Sequence, residues 1–188
     1  MRIENLSFSY GKKTVFSNLN LKTDDRTICL MGKSGCGKTS LLHLIAGLLK
    51  ADSGTISELP QPCSLMFQED RLLPWLNAGE NVALVLDDED KEKASLLLRA
   101  LGLEPDMALS KMSGGMKRRV ALARALAFRS DTLLLDEPFK GLDENMMKSC
   151  AELIKKQGKL TIVATHSQKE AEALGAKIIR IEDGIFYY

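Results

Sequence analysis

The sequence predicts an α/β fold built on a mostly parallel sheet. Three short apolar segments, residues 27–31 (TICLM), 132–135 (TLLL) and 160–164 (LTIVA), have the length and composition of buried strands. Helical patterns separate them, and strands that alternate with helices are typical of a parallel sheet covered on both faces. The first of these strands runs through a glycine-rich turn into a helix.

Length and composition predict one domain. The chain has 188 residues, of which 45% are hydrophobic and 27% charged, so it can bury a sizeable core. Its 26 basic and 25 acidic residues give a net charge of +1, which excludes a global field that would hold nucleic acid. Its longest apolar run is far below the roughly 20 residues of a membrane-spanning helix. The first ten residues also lack a signal-peptide core, so we expect a cytoplasmic location.

Local signals place the helices between these strands. Asn77 and Glu80 have the spacing of a capping box that opens a helix through Leu84, and Ser167 and Glu170 repeat that spacing. Further helices are predicted over residues 39–49, 92–101 and 114–128, with a charged loop over 87–93. A late strand over 177–181 and a turn at 183–184 complete the pattern.

A glycine-rich loop predicts phosphate binding. Residues 32–39 (GKSGCGKT) match G-x-x-x-x-G-K-[ST] between a predicted strand and a predicted helix. Backbone N–H groups in such a loop converge on phosphate oxygens, and the following helix N-terminus adds to the attraction. We expect Lys38 to reach the β- and γ-phosphates and Thr39 to offer its hydroxyl to Mg²⁺. Cys36 is interpreted as a small filler or as a redox-sensitive thiol.

Two adjacent carboxylates follow a buried strand. The segment 133–138 reads LLLDEP, and ligands of such sheets lie at the carboxyl ends of the strands. We expect Asp136 to hold Mg²⁺ through its water shell and Glu137 to polarise the water that attacks the γ-phosphate. His166 ends the next apolar strand and is expected beside these acids, in contact with the γ-phosphate.

With a further motif, these features resemble the ATP-binding cassette (ABC) ATPases over nearly the whole chain. Residues 112–116 read MSGGM where that family has LSGGQ, and this segment is a second glycine-rich helix start able to bind an anion. The resemblance implies a P-loop NTPase fold with a small N-terminal β region. It also implies a single domain 1–188, in which a helical subdomain (71–109) is inserted into an α/β core (1–70 and 110–188).

The resemblance further implies the composition of the active site. Two chains would sandwich two nucleotides, each facing Ser113, Gly114 and Gly115 of the other chain. Asp143 matches the acid of the D-loop at that interface, and Tyr10 matches the aromatic residue that stacks on adenine. Gln68 matches the Q-loop glutamine that links the Mg²⁺ and its water shell to the helical subdomain, and His166 matches the switch histidine. The implied catalytic residues are Glu137, His166 and Gln68, and the implied Mg²⁺ ligands are Thr39, Gln68 and Asp136. The implied ATP contacts from the phosphate loop are Gly32, Lys33, Ser34, Gly35, Cys36, Gly37, Lys38, Thr39 and Ser40.

The segment after Gln68 narrows the resemblance. Residues 68–75 (QEDRLLPW) are close to the Q-loop of importer ATPases in the nitrate, sulfonate and taurine group. This implies a bacterial importer subunit on the inner face of the membrane, with transmembrane permease partners and a second ATPase subunit, expected to be an identical copy. No contact with nucleic acid or with the transported solute is implied. Two interpretations are open for Leu72, Leu73 and Trp75. They either line a groove for a permease helix or form the core of the helical subdomain itself.

Departures from the family pattern leave other functions open. Met112 and Met116 replace Leu and Gln, and Lys140-Gly141 stands where Ser-Ala is common, so contacts from the partner chain are expected to be weaker. The stretch before Gln68 is short, as if a β-hairpin were trimmed. A weakly active regulatory paralogue and a soluble non-transport ABC ATPase are the alternatives. A metabolite kinase is disfavoured because it needs an arginine-bearing lid and an acceptor pocket.

Overall fold

The computed structural model describes residues 1–86, 91–182 and 185–187, and the larger of its two sheets organises the fold. The strand order in this sheet is β5-β6-β7-β3-β8-β9, and every pairing is parallel except that of β8 with β9. The predicted mostly parallel sheet is therefore confirmed. The strands are β3 (Thr27–Met31), β5 (Cys63–Met66), β6 (Thr132–Asp136), β7 (Leu160–Ala164), β8 (Lys177–Glu182) and β9 (Ile185–Tyr187).

A smaller antiparallel sheet lies at the N-terminus, as the fold class predicts. Its order is β2-β1-β4, formed by β1 (Arg2–Tyr10), β2 (Lys13–Lys22) and β4 (Ser53–Ser57). Its buried residues Leu6 and Phe16 share one apolar cluster with Leu134 and Ile162 of the main sheet. The smaller sheet and the first helix therefore pack in the same core as one face of the main sheet.

The helices cover both faces of the main sheet. On the second face, Leu133, Leu135 and Val163 pack in a cluster with α2, α3, α4 and α5, because alternate residues of a strand point to opposite faces. A 3₁₀ turn at Leu109–Lys111 precedes α4. The helices are α1 (Lys38–Ile45), α2 (Ala78–Ala83), α3 (Lys91–Ala100), α4 (Gly114–Ala127), α5 (Glu144–Lys156) and α6 (Gln168–Leu174). Within the described ranges, none of them is both long and apolar enough to cross a membrane.

The predicted helix limits are confirmed in part. The capping box of Asn77 and Glu80 is present in both directions. The helix predicted over 39–49 ends at Ile45, because Gly47 adopts a left-handed conformation with φ of 72°. The last residues of the loop predicted over 87–93 are wrong, because α3 begins at Lys91. Residues 87–90 and the predicted turn at 183–184 lie outside the described residues.

The predicted capping box at α6 is only half formed. The Ser167 side chain accepts from the backbone N–H of Glu170 at 3.4 Å. The Glu170 carboxylate instead accepts from the hydroxyl of Thr165 at 2.5 Å, and that hydroxyl oxygen accepts from the backbone N–H of Ser167 at 3.1 Å. Thr165 thus takes the role that the spacing assigned to Glu170, because a neighbouring hydroxyl reaches the N-terminal N–H group first.

Candidate functional site

Three adjacent strands end at the same edge of the main sheet. Since β7 lies between β6 and β3, the ends of these strands bring residues 136–137, 165–166 and the loop 32–39 together. The backbone N–H of Glu137 donates to Ala164 O at 2.8 Å, and that of Thr165 donates to Leu30 O at 3.1 Å. The sheet itself therefore gathers the residues that the sequence predicts at its carboxyl edge.

The phosphate loop, residues 32–39, requires glycine at two close approaches. A Cβ atom at Gly32 would lie 2.4 Å from the carbonyl oxygen of Ile181. At Gly37, where φ is 105°, it would lie 2.6 Å from Cζ of Phe16. Gly37 also precedes α1, so its left-handed conformation turns the chain from the loop into the helix.

The Lys38 side chain folds back into the phosphate loop. Its Nζ donates to the carbonyl oxygens of Gly32 at 2.7 Å and Lys33 at 3.1 Å, and it lies 3.9 Å from the Cys36 sulfur. Lys38 is buried, whereas Lys33, Ser34 and Gly35 are exposed. The ammonium group is therefore held inside the loop, where an anion bound by the loop's N–H groups would meet it.

A short hydrogen bond joins the phosphate loop to the acidic strand end. Thr39 Oγ1 donates to Asp136 Oδ2 at 2.6 Å, across 97 residues of sequence. Asp136 is 2% exposed, and burial raises the pKa of its carboxyl group while the Thr39 hydrogen bond opposes the rise. A buried carboxylate beside a hydroxyl offers the oxygen ligands that Mg²⁺ prefers.

The catalytic pair predicted from the sequence is in contact. Glu137 Oε1 lies 3.1 Å from His166 Nδ1. The Glu137 side chain is 14% exposed and that of His166 is 76% exposed, so a shielded carboxylate faces an imidazole open to solvent. Glu137 has a φ of 49°, in the left-handed region that few non-glycine residues adopt. Behind this pair, burial raises the pKa of Glu170.

Gln68 and Tyr10 reach the site less directly. The Gln68 residue is exposed, and its carbonyl oxygen accepts from Arg118 at 3.1 Å. Tyr10 is half-exposed at the end of β1, with its hydroxyl 3.4 Å from that of Ser40. Its ring packs edge-on against Phe8, with 4.8 Å between the ring centroids. Tyr10 thus borders the phosphate loop and is partly open to solvent.

The second glycine-rich segment lies apart from the phosphate loop. Ser113 caps α4 by accepting from the N–H of Met116 at 3.2 Å, and Ser113 and Gly114 are exposed. Asp143 caps α5 by accepting from the N–H of Met146 at 3.0 Å. Among the described residues, no hydrogen bond joins Ser113, Gly114, Gly115 or Asp143 to the loop 32–39.

Arg118 is the residue of this region whose contacts sequence reasoning missed. Arg118 belongs to a run of three basic residues near the start of α4, 117–119, yet its side chain is 4% exposed. The guanidinium donates to the backbone of both acids, Asp136 O and Glu137 O. Its place in this basic run was the available signal, but such a run does not specify partners that lie far along the chain.

Trp75 settles one of the alternatives left by the sequence. Its side chain is 75% exposed, so the interpretation as a core residue of the helical lobe is wrong for Trp75. Leu72 is partly buried against the core cluster that contains α2 and α4. Leu73 is held by Asn81, whose Oδ1 accepts from the Leu73 N–H at 2.8 Å. The loop is fixed while its tryptophan points outward.

A cation at this site needs oxygens from a ligand. Within the described ranges, no group of three or more His, Cys, Asp or Glu side chains could hold a metal ion. The pair of Thr39 and Asp136 supplies two oxygen atoms at the mouth of a loop shaped for phosphate. This donor set fits Mg²⁺, which keeps several waters and shares its shell with phosphate oxygens.

Comparison with known proteins identifies relatives over the whole chain. The model of the family described as "ABC transporter" matches residues 16–140. The aliphatic sulfonates import ATP-binding protein SsuB of Yersinia pestis is 40% identical, over 97% of this chain and 72% of the relative. SsuB 2 of Xanthomonas axonopodis pv. citri (strain 306) is 37% identical, over 98% of this chain and 68% of that relative.

Solved structures give the same result for the fold. A dimeric structure of the ATP-binding cassette MJ0796, described as a post-hydrolysis state bound to ADP and Pi, matches with a TM-score of 0.85 at 27% identity. The match covers 100% of this chain and 96% of that one. A second dimeric structure of MJ0796, described as a bacterial ABC transporter cassette, has the same TM-score at 26% identity.

Proposed function

Because the chain belongs to the ABC transporter family and is an ATP-hydrolysing import subunit, we propose that two copies of it bind and hydrolyse Mg-ATP between them. The predicted family, fold class and ATPase activity are confirmed by the relatives. The observation that carries the site assignment is the hydrogen bond of 2.6 Å between Thr39 and Asp136. It brings the phosphate loop and a buried carboxylate together.

In the proposed site, the phosphate loop and Ser40 hold the phosphates. Lys38, already inside the loop, neutralises charge on the β- and γ-phosphates. Tyr10 stacks on the adenine ring from the edge of the smaller sheet. Thr39, Asp136 and Gln68 would hold Mg²⁺, which would supply positive charge to neutralise the charge that develops on the phosphates.

Glu137 and His166 carry the chemical step in this proposal. The Glu137 carboxylate accepts a hydrogen bond from the attacking water and so aims an oxygen lone pair at the γ-phosphate. His166 contacts the same carboxylate at 3.1 Å and is exposed enough to reach the γ-phosphate on its other side. Phosphoryl transfer depends mainly on positioning and charge neutralisation, so these side chains need little further chemistry.

The second chain completes each site. Ser113, Gly114 and Gly115 form a helix N-terminus that suits a phosphate, with Ser113 and Gly114 exposed, and Asp143 lies in the loop that precedes α5. Among the residues that the structure describes, no hydrogen bond links this helix end to the loop 32–39. The dimeric structures of MJ0796 support a partner in that role. Closing the dimer around ATP and opening it after hydrolysis is the motion offered to membrane partners.

The names of the relatives support a proposal for the partners and the solute. We propose transmembrane permease subunits, a site on the inner face of the cell membrane, and import of aliphatic sulfonates, the solutes in the relatives' names. The chain itself has no part in binding the solute or nucleic acid. Trp75, exposed on a loop fixed by Asn81, is proposed with Leu72 and Leu73 to line the groove that receives a permease helix. The helical subdomain 71–109 carries this groove.

The dimer proposal is tested with Glu137→Gln. This change keeps the binding groups and removes the carboxylate that orients water, so hydrolysis should fall about 10²- to 10⁴-fold. Size-exclusion chromatography with light scattering should then show a dimer in Mg-ATP and a monomer without nucleotide. The control carries Lys38→Ala as well as Glu137→Gln and should stay monomeric because it lacks the phosphate-binding ammonium.

A Glu137→Gln chain that remains monomeric in saturating Mg-ATP would contradict the composite site.

The same variant tests transport in cells. Replacing the wild-type chain by Glu137→Gln should abolish uptake of aliphatic sulfonates while the protein level stays the same. Undiminished sulfonate uptake would contradict the assignment of the solute and leave the ATPase assignment to the light-scattering result.

A further inference from the structure

The guanidinium of Arg118 links two segments of the site that the sequence keeps far apart. Arg118 NH1 donates to three oxygens of the loop after β5, while Nε and NH2 donate to the strand end after β6. The acceptors are Phe67 O at 2.9 Å, Gln68 O at 3.1 Å, Asp70 Oδ1 at 2.9 Å, Glu137 O at 3.1 Å and Asp136 O. One rigid side chain thus binds both the glutamine loop and the paired acids.

These contacts are a costly way to stabilise a fold. Arg118 is 3% exposed, and its ionic partner Asp70 keeps a side chain that is 29% exposed. Buried charges of this kind often contribute less stability than apolar side chains of the same size. The contacts of Arg118 instead fix the relative positions of its partners, because the planar guanidinium presents its N–H donors in a fixed fork.

The backbone position of Glu137 depends most on these contacts. Its φ of 49° lies in a region that few non-glycine residues adopt, so its peptide needs support from its surroundings. The N–H of Glu137 is held by Ala164 O at 2.8 Å and its carbonyl by Arg118 Nε at 3.1 Å. With both sides of this residue fixed, its carboxylate is aimed at His166.

A second arginine on the same helix provides the comparison. Arg124 donates to Asp70 O and to Arg71 O, each at 2.9 Å. It therefore binds the same loop as Arg118 but has no hydrogen bond to Asp136 or Glu137. Loss of Arg124 loosens the loop alone, whereas loss of Arg118 also frees the acids.

We propose that Arg118 is a positioning residue for ATP hydrolysis, which fixes the backbone of Glu137 and ties it to the loop that carries Gln68. The inference rests on the proposed function, since it needs Glu137 to orient water. A displacement of the Gln68 loop is transmitted through the guanidinium to the backbone of the acids. Arg118 touches neither nucleotide nor water in this role.

The test compares Arg118→Gln and Arg118→Lys with Arg124→Gln. We measure kcat and KM for Mg-ATP hydrolysis, ATP affinity by titration calorimetry, and thermal stability. Arg118→Gln should lower kcat by about 10²-fold, the effect of a misplacement near 1 Å, with ATP affinity close to that of the wild type. Arg118→Lys should restore part of kcat, because an ammonium reaches some of the same carbonyls. Arg124→Gln should lower kcat far less than Arg118→Gln does, because the backbone of Asp136 and Glu137 stays fixed.

The outcomes separate this inference from the function on which it rests. A folded Arg118→Gln chain with wild-type kcat would overturn it, as would equal losses of kcat in the Arg118 and Arg124 variants. If Arg118→Gln does not fold, Arg118→Lys decides the question. A lower kcat with ATP affinity close to that of the wild type supports the inference, and a wild-type kcat overturns it. A wild-type chain that does not hydrolyse ATP would overturn both this inference and the proposed function.

Discussion

At the scale of single residues, the buried carboxylate of Asp136 lowers the stability of the folded chain, and its proposed role as a Mg²⁺ ligand explains this arrangement. Its carboxylate is buried at the end of β6, and burial raises its pKa even though Thr39 donates a hydrogen bond to it. A carboxylate that is deprotonated at neutral pH in this position destabilises the folded chain relative to the unfolded one. A bound cation would offset that cost, which is the expected behaviour of a site built for Mg²⁺.

Asp136→Asn should therefore stabilise the nucleotide-free chain while it removes the response to Mg²⁺. The amide oxygen can still accept from Thr39, and the buried charge is gone. Each kcal/mol gained raises the Tm of a domain of this size by about 2–4 °C. Thermal unfolding without nucleotide should show a higher Tm for the variant at neutral pH, and the further rise in Tm that Mg²⁺ adds with ATP should be lost.

The pH dependence gives this prediction its sign. Because the folded pKa of Asp136 is raised, the wild-type carboxyl takes up its proton in the folded state as the pH falls through that value. Its cost then disappears, so the Tm advantage of the variant should shrink on acidification. Glu170, also buried with a raised pKa, is present in both chains and cancels in the difference. A Tm gap that stays constant from neutral pH to pH 4 would contradict the explanation.

At the scale of elements, the start of α4 is pressed against the loop before α5. A Cβ atom at Gly115 would lie 2.8 Å from the carbonyl oxygen of Gly141 and 3.3 Å from a methyl carbon of Leu142. The neighbouring Gly114 has open space where its Cβ would stand. The two glycines are adjacent in the motif but differ in their surroundings. Only Gly115 is needed for close packing against the 141–142 turn.

Gly115→Ala should lower the Tm of the nucleotide-free chain, because the methyl group forces α4 away from the 141–143 turn. Overpacking of this kind typically costs about 1–3 kcal/mol. Gly114→Ala is the matched control and should keep the Tm or raise it slightly, since alanine favours a helix more than glycine. Thermal unfolding of both variants decides the point. Equal Tm values would show that the turn moves aside at little cost.

Elements also mark the boundary of what the sequence could predict. The strands of the core and the capping box at Asn77 depend on neighbours within a few residues, so local patterns specify them. Arg118 depends on Phe67 and Asp136, which lie 51 and 18 residues away. Its role follows from the packing of α4 beside two loops, and no periodicity expresses that. The capping box predicted at Ser167 failed for a different, local reason, because the hydroxyl of Thr165, two residues away, competes for the same N–H.

At the scale of the whole molecule, the fold presents two half-sites on one chain. The first lies at the carboxyl edge of the main sheet, where β3, β6 and β7 end. The second is the exposed N-terminus of α4, whose Ser113 already satisfies one of the free N–H groups. Since no hydrogen bond connects the two within the described residues, ATP bound at the first half-site is proposed to be covered by the second half-site of another copy.

This arrangement predicts that the effect of ATP on stability depends on protein concentration. A ligand bound by a monomer stabilises it according to ligand concentration alone, by about 2.7 kcal/mol at a hundredfold excess over Kd. A ligand shared by two chains adds association, so the Tm then rises with protein concentration as well. The Glu137→Gln chain should show this dependence in saturating Mg-ATP over a tenfold range of protein concentration, and should lose it without nucleotide or with Lys38→Ala added. A Tm that rises with ATP but is the same at every protein concentration would mean that one chain holds the nucleotide by itself.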